Sequence, residues 1–175
     1  RKEIMTGSGA GGIKTARVGI GYDSHRWCDG RPLVLGGVEI PHSRGLSGHS
    51  DADALIHAIC DAVLGAVGAG DIGAHFPDTD PAYRGISSLV LLARVREIAA
   101  ARGGRVVNMD ATVIMERPKL RAYIGGMIAN IADALAMDAA AVSVKAKTNE
   151  GMGFVGREEG VAVMAVALVE TAGAL

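Results

Sequence analysis

The sequence is poor in aromatic residues: Trp, Tyr and Phe together make up 3% of its 175 residues. So few rings cannot build base-stacking platforms, which argues against a single-stranded nucleic-acid binder. An excess of one charge is also missing. Lys plus Arg number 18 and Asp plus Glu 19, for a formal net charge of -1. There is no global basic field to attract nucleic acid or an anionic membrane. The longest apolar run, Val161 to Val169, falls far short of the roughly 20 residues that a membrane helix needs. Cysteine is scarce. Cys28 and Cys60 make no disulfide framework, and with no signal-type segment ahead of them they point to a reducing cytosol or organelle interior. No repeat of 20–50 residues is visible, which excludes solenoids and propellers.

Hydrophobic residues at 49% and charged residues at 21% fit one globular domain with its own core. Gly is abundant, at 25 residues. The glycines lack the collagen period and cluster where loops are expected, which suggests tight turns and close backbone approaches. Residues 1–16, centred on Gly7 to Gly12, read as a flexible leader, and the folded unit is expected over 17–172. Strands are expected at Arg17 to Tyr22, Val106 to Met115, Val142 to Thr148 and Val161 to Glu170, with a hairpin over Leu33 to Ile40 turning at Gly36-Gly37. On the third-quarter strand, Val107, Met109, Ala111, Val113 and Met115 fall on one face. Helices are expected at Ser50 to about Ala69, with Ser50 as N-cap, at Ser87 to Arg102 and at Tyr123 to Met137. The order predicts an α/β (α+β) sandwich: a mixed sheet of about four main strands with helices on one face, plus the short hairpin. Such a layer leaves the other sheet face needing cover, which suggests an oligomer.

Four constellations carry chemistry. In Gly19-Ile20-Gly21-Tyr22-Asp23-Ser24-His25, Asp23 and His25 are two apart and point the same way on an extended segment. A carboxylate beside an imidazole supplies two ligands of a zinc-type site, and His57 on the first helix is the third candidate. Taken alone, His57 reads equally as a helix-face histidine half packed beside Cys60 and Leu64. Asp53 and Asp61 lie four residues either side of it, so either carboxylate is a candidate for orienting its ring. His49 stands just before the expected cap, where an imidazole and free backbone N–H groups can face an anion. The segment Asp71 to Pro81 embeds polar side chains in a Pro-bounded loop; turn chemistry explains its Asp-x-Asp-Pro, but its length favours a functional loop. Finally, Lys145-Ala146-Lys147-Thr148-Asn149-Glu150-Gly151 ends a strand with groups suited to phosphates and a hard cation, or else forms a plain polar loop.

Five blocks in order resemble the 2-C-methyl-D-erythritol 2,4-cyclodiphosphate synthase family. They are Asp-x-His in a Gly-rich bend, Gly-His-Ser-Asp-Ala-Asp with a helical His, Asp-Ile-Gly-x-x-Phe-Pro-Asp-Thr-Asp-Pro, Arg-Pro-Lys, and Lys-Ala-x-Thr-x-Glu before Gly-Phe-x-Gly-Arg. The resemblance runs from about Arg17 to Glu170. It implies a homotrimer with each active site between neighbouring subunits. It also implies closure of 4-diphosphocytidyl-2-C-methyl-D-erythritol 2-phosphate to the cyclic 2,4-diphosphate with release of CMP, in the non-mevalonate isoprenoid pathway. By position, Asp23, His25 and His57 match the zinc-type metal ligands. Glu150 matches the protein ligand of a second cation, magnesium or manganese. His49 and Thr148 match groups that stabilise the transition state.

The same resemblance puts His49, Ser50, Asp71, Ile72, Gly73, Phe76, Pro77, Asp78, Thr79 and Asp80 at the sugar-phosphate pocket. It puts Met115, Pro118, Lys119, Leu120 and Arg121 at the cytidine and diphosphate pocket, with Lys147, Thr148, Asn149, Phe154 and Arg157 nearby. Relatives carry an apolar cavity on the three-fold axis, near the positions of Arg157 and Glu159, which implies an isoprenoid diphosphate as a further ligand. A bacterial cytoplasm or a plastid-type organelle is the implied compartment. The chain departs from the pattern at Lys147 and Asn149, where many relatives have Thr, at Met115-Glu116-Arg117, and at Glu158, which replaces a common Gly. A metal-dependent phosphohydrolase and a non-catalytic trimeric module for isoprenoid diphosphates are the alternatives.

Overall fold

In a computed structural model, which describes residues 14–172, the first strand is longer than its apolar centre implies. β1 spans Lys14–Cys28, so the strand begins three residues ahead of Arg17; residues 1–13 of the expected leader lie outside the described residues. β1 runs antiparallel to β7 (Gly160–Ala172), from Lys14 opposite Ala172 to Arg26 opposite Gly160. On its other side β7 pairs antiparallel with β5 (Gly104–Ile114), and β5 pairs parallel with β6 (Val142–Lys147). A two-residue strand, β4 (Gly45–Leu46), closes the far edge, giving a five-stranded mixed sheet in the order β4-β1-β7-β5-β6. β2 (Leu33–Leu35) and β3 (Val38–Ile40) form the expected separate hairpin. Its turn residues Gly36 and Gly37 have φ 60° and 68°, the left-handed pair that a tight hairpin turn demands.

Three long helices cover one face: α1 (Ala54–Ala66) lies on β1 and β7, α3 (Ser88–Ala101) touches β5, and α4 (Ile124–Leu135) packs between α3 and β6. α2 (Ile72–His75) and α5 (Gly153–Gly156) are single turns. Along β7, Val161, Val163, Ala165, Ala167 and Val169 are buried under the helices. From Met164 onward the alternate residues face away from the helices and are wholly or partly exposed. Ile20 opposes Val166 and Tyr22 opposes Met164, and these four are 42–71% exposed. Val18 extends the same apolar strip.

Three local expectations are corrected. α1 starts at Ala54 and not at Ser50, because Ala52 has φ 59° and breaks the helical path. Asp53 is the N-cap: its buried carboxylate accepts from Ile56 N at 3.1 Å and also from Gly36 N and Gly37 N at 2.9 and 2.7 Å, tying the hairpin turn to the helix start. The helix ends at Ala66 and not near Ala69, where Gly68 turns left-handed at φ 65° and Ala69 N–H donates back to Leu64 O. On β5 a bulge between Val106 and Asn108 shifts the register, so Val106 takes the buried place expected for Val107.

The contact that positions everything else is α1 on β1. Gly19 and Gly21 face the helix, and a Cβ on Gly21 would lie 1.8 Å from Ala58 O. On Gly19 it would lie 1.8 Å from Ala62 O. The helix answers with Ala58, Ala62 and Ala66, so backbone rests on backbone. Replacing Gly21 with Ala is expected to destabilise the fold by about 3 kcal/mol, the upper range for overpacking, because main chain cannot step aside as a side chain can. Denaturant unfolding measures it; unaltered stability would mean that α1 is free to lift off the strand.

Candidate active site

On β1 the residues at 19, 21, 23 and 25 share the face toward α1. The two glycines let the helix down onto the strand, and the next two side chains, Asp23 and His25, then meet His57, the neighbour of Ala58. Asp23 Oδ2 lies 2.9 Å from His25 Nε2 and 3.1 Å from His57 Nδ1. The two ring nitrogens are 3.2 Å apart. One ligand-type atom from each residue lies within 4.8 Å of the others. The sequence pairing of Asp23, His25 and His57 is therefore a spatial triad.

The outer shell fixes which nitrogens face inward. His25 Nδ1–H donates to Ser47 O, which leaves Nε2 turned to the triad. Ser88 donates its hydroxyl hydrogen to Asp51 Oδ1, and its backbone N–H donates to Asp51 Oδ2 at 2.9 Å. Its oxygen is then an acceptor for His57 Nε2–H at 2.9 Å, with Ser50 Oγ at 3.0 Å from the same nitrogen. His57 Nδ1 thus faces Asp23 and His25, and offers a lone pair there whenever that nitrogen carries no proton. Burial would push the Asp23 carboxyl up, but hydrogen bonds and charge from His25 and His57 win and hold it well below the usual carboxylate range. For His25, burial pulls the ring down while the Asp23 carboxylate raises it, and the rise prevails. Three lone-pair donors facing one point repel each other unless positive charge sits among them. The donor set, two imidazoles and a carboxylate with the fourth side open to a cleft, fits a zinc-type divalent metal.

Asp53 and Asp61, expected as partners of His57, do other work. Asp53 caps α1, and Asp61 accepts from Ile72 N at 2.8 Å, anchoring α2. The orienting groups are Ser88 and Asp51. Ser88, a buried hydroxyl at the start of α3, is not among the residues expected at the site.

Beside the triad lies a cleft of about 480 Å³. Of the expected sugar-phosphate residues, His49, Ser50, Ile72, Gly73, Phe76, Pro77 and Asp78 line it. Asp71 and Asp80 cap α2 and the 3-10 turn Pro81–Tyr83 through Ala74 N and Ala82 N, each at 2.9 Å. Thr79 is exposed between them. His49 is not at a helix start as expected, since α1 begins later; its Nε2 lies 3.3 Å from Asp80 O. Tyr83 and Leu91 also line the cleft, and Tyr83 meets Phe76 edge-on at 5.4 Å.

The second group gathers where β5 and β6 end. Met115, Pro118, Lys119, Leu120, Lys147 and Thr148 line a pocket of about 60 Å³. Arg121 borders an adjoining cleft with Lys145 and Lys147. Thr148 Oγ1–H donates to Glu150 Oε1 at 2.7 Å, and Asn149 Nδ2–H to Met152 O at 2.8 Å. Phe154 instead lines a groove with Ser24, Arg26 and Glu159, and Arg157 pairs with Glu159 at 2.6 Å. The triad and Thr148 sit at the same end of the sheet, but β1 and β6 are three strands apart, about 14 Å. Within one chain they line separate cavities.

A model of the YgbB family matches residues 16–170. The 2-C-methyl-D-erythritol 2,4-cyclodiphosphate synthase of Syntrophus aciditrophicus (strain SB) is 64% identical over 154 residues, 88% of this chain and 97% of the relative. The chain belongs to the YgbB family of 2-C-methyl-D-erythritol 2,4-cyclodiphosphate synthases. Its fold is also that of solved synthases. The bifunctional IspDF of Campylobacter jejuni is 39% identical with TM-score 0.88, over 91% of this chain and 43% of that longer one. A family synthase solved in a CDP-bound form is 38% identical with TM-score 0.80, over 87% of this chain and 99% of that one. No helix among the described residues is long and apolar enough to cross a membrane.

Proposed function

We propose that this chain is a phosphorus-oxygen lyase. It closes 4-diphosphocytidyl-2-C-methyl-D-erythritol 2-phosphate to the 2,4-cyclodiphosphate and releases CMP. The observation that carries this reading is the converging triad Asp23, His25 and His57 beside a cleft, in a chain of this family. An oxygen of the 2-phosphate bonds to the β-phosphorus, and the bond from that phosphorus to the bridging oxygen of CMP breaks. The attacking group is already an oxyanion, so no Ser or Cys nucleophile is required.

Cations held by Asp23, His25 and His57 (zinc-type) and by Glu150 (magnesium or manganese) supply positive charge that offsets phosphate repulsion. His49 and Thr148 donate to oxygens whose charge grows in the transition state. The residues around Phe76 hold the sugar phosphate, and Met115, Pro118, Lys119, Leu120 and Arg121 hold the cytidine end. A homotrimer completes the site, bringing the Thr148 edge of one subunit to the triad of the next. Its support is the separation of the two cavities within one chain and the uncovered Ile20–Val166 strip. The same reading places an isoprenoid diphosphate in the axial cavity near Arg157, and the protein in a bacterial cytoplasm, in keeping with its bacterial relatives and free cysteines.

Labelled water tests the reaction. Cyclisation consumes no water, so CMP and cyclic diphosphate formed in oxygen-18 water are expected to be unlabelled by mass spectrometry. One labelled oxygen in either primary product would indicate the phosphohydrolase instead.

A further inference from the structure

Glu116 stands just beyond β5 and has no part in the roles assigned above. Its Oε1 accepts from Asn149 N at 2.8 Å and from Gly151 N at 3.3 Å. The residue between those two amides is Glu150, whose φ is 51°. A residue with a Cβ holds that left-handed conformation only when its surroundings dictate it. Here one carboxylate oxygen accepts from the backbone N–H of the residue on each side of it. From behind, Gly156 lets the loop settle: a Cβ there would come within 2.0 Å of Gly151 C. So fixed, Glu150 receives the hydroxyl hydrogen of Thr148 at 2.7 Å. The strand side is fixed too, since Met115 N–H donates to Lys147 O at 2.9 Å.

We infer that Glu116 is a positioning residue for the diphosphate end of the site, holding the 149–151 backbone so that Glu150 and Thr148 act together on the substrate and its cation. The inference rests on the roles given to Glu150 and Thr148 above. Oε1 is engaged by two N–H donors of the loop, and the role assigned to Glu116 is this hold on the loop.

The arrangement needs an acceptor oxygen at this reach and not a negative charge. Glu116→Gln keeps such an oxygen and is expected to stay within about threefold of the parent in kcat and in the magnesium concentration giving half-maximal rate. Glu116→Asp keeps the charge but falls short of the amides, and Glu116→Ala removes both. Each of these two is expected to lower kcat on the order of tenfold or more and to raise the magnesium requirement by a similar factor. Metal bound at the Asp23 triad should be unchanged. Should the Ala variant not fold, the Gln and Asp variants decide alone.

A Gln variant as damaged as the Asp variant would mean that charge matters, and would overturn the positioning role. So would Asp and Ala variants with an unaltered magnesium requirement, provided that Glu150→Gln shifts it. If Glu150→Gln itself leaves that requirement unaltered, the fault lies with the cation role of Glu150. Glu116 is then judged by kcat alone, where parent-like Asp and Ala variants would overturn its hold on Thr148.

Discussion

Replacing His57 with Ala is expected to remove about one tightly bound metal ion per chain and nearly all turnover. His57 supplies one of only three inward lone pairs, and a three-ligand site rarely survives with two. The loss is local. The ring packs at the end of α1 nearest Asp23, while the α1–β1 contact at Gly19 and Gly21 depends on alanines further along the helix. The variant should therefore fold, and inductively coupled plasma analysis of the folded protein, together with CMP release, checks both parts. Unchanged metal content would remove His57 from the ligand set, and Ser88 and Asp51 would lose their meaning as its support.

Thr148→Ala is expected to cost on the order of 10²–10³ in kcat, the usual loss when one donor to a developing oxyanion disappears, with substrate still bound by the remaining groups. Its hydroxyl hydrogen rests on Glu150; a cation held by that carboxylate would compete for the same oxygen and leave the hydroxyl to donate to a phosphate. Because Thr148 and His57 line separate cavities in one chain, mixing Thr148→Ala and His57→Ala chains should restore part of the activity each lacks. Intact sites then form where an unaltered edge of one chain meets an unaltered triad of another. Mixtures no more active than their separate components, or a monomer in sedimentation, would contradict shared sites.

The triad was legible because it obeys short-range geometry. Period-two alternation puts Asp23 and His25 on one face, and the long helical repeat puts His57 on the buried side. What stood beside it was not legible. Asp53 and Asp61 have the right spacing to flank His57, but stronger local demands claim them: three amides for Asp53 and the start of α2 for Asp61. Ser88 comes from 31 residues further along the chain (88 − 57) and announces itself by no motif. The helix start was misplaced because Ser50 is a better textual N-cap than Asp53. Only the left-handed Ala52, invisible in a propensity scale, rules it out. The sheet was readable from apolar alternation except at the ends of β1, at the two-residue β4, and where the β5 bulge inserts a residue and inverts the phase before it. Glu116 has no sequence signature at all, since its partners are main-chain amides.

The bare contact between α1 and β1 also bears on how this protein can change over time. Most catalytic constellations inherit their geometry from side-chain packing, so each drift in core volume nudges the chemistry. Here the distance from His57 to Asp23 and His25 is gauged by one main chain lying on another, with only hydrogens at Gly19 and Gly21 between them. Leu55, Ile59 and Val63 can exchange volume with their neighbours through successive neutral substitutions while the ligand spacing stays set. The cost is concentrated at two positions where even a methyl group would meet main chain. The lineage is free to rewrite its interior and bound to keep two glycines.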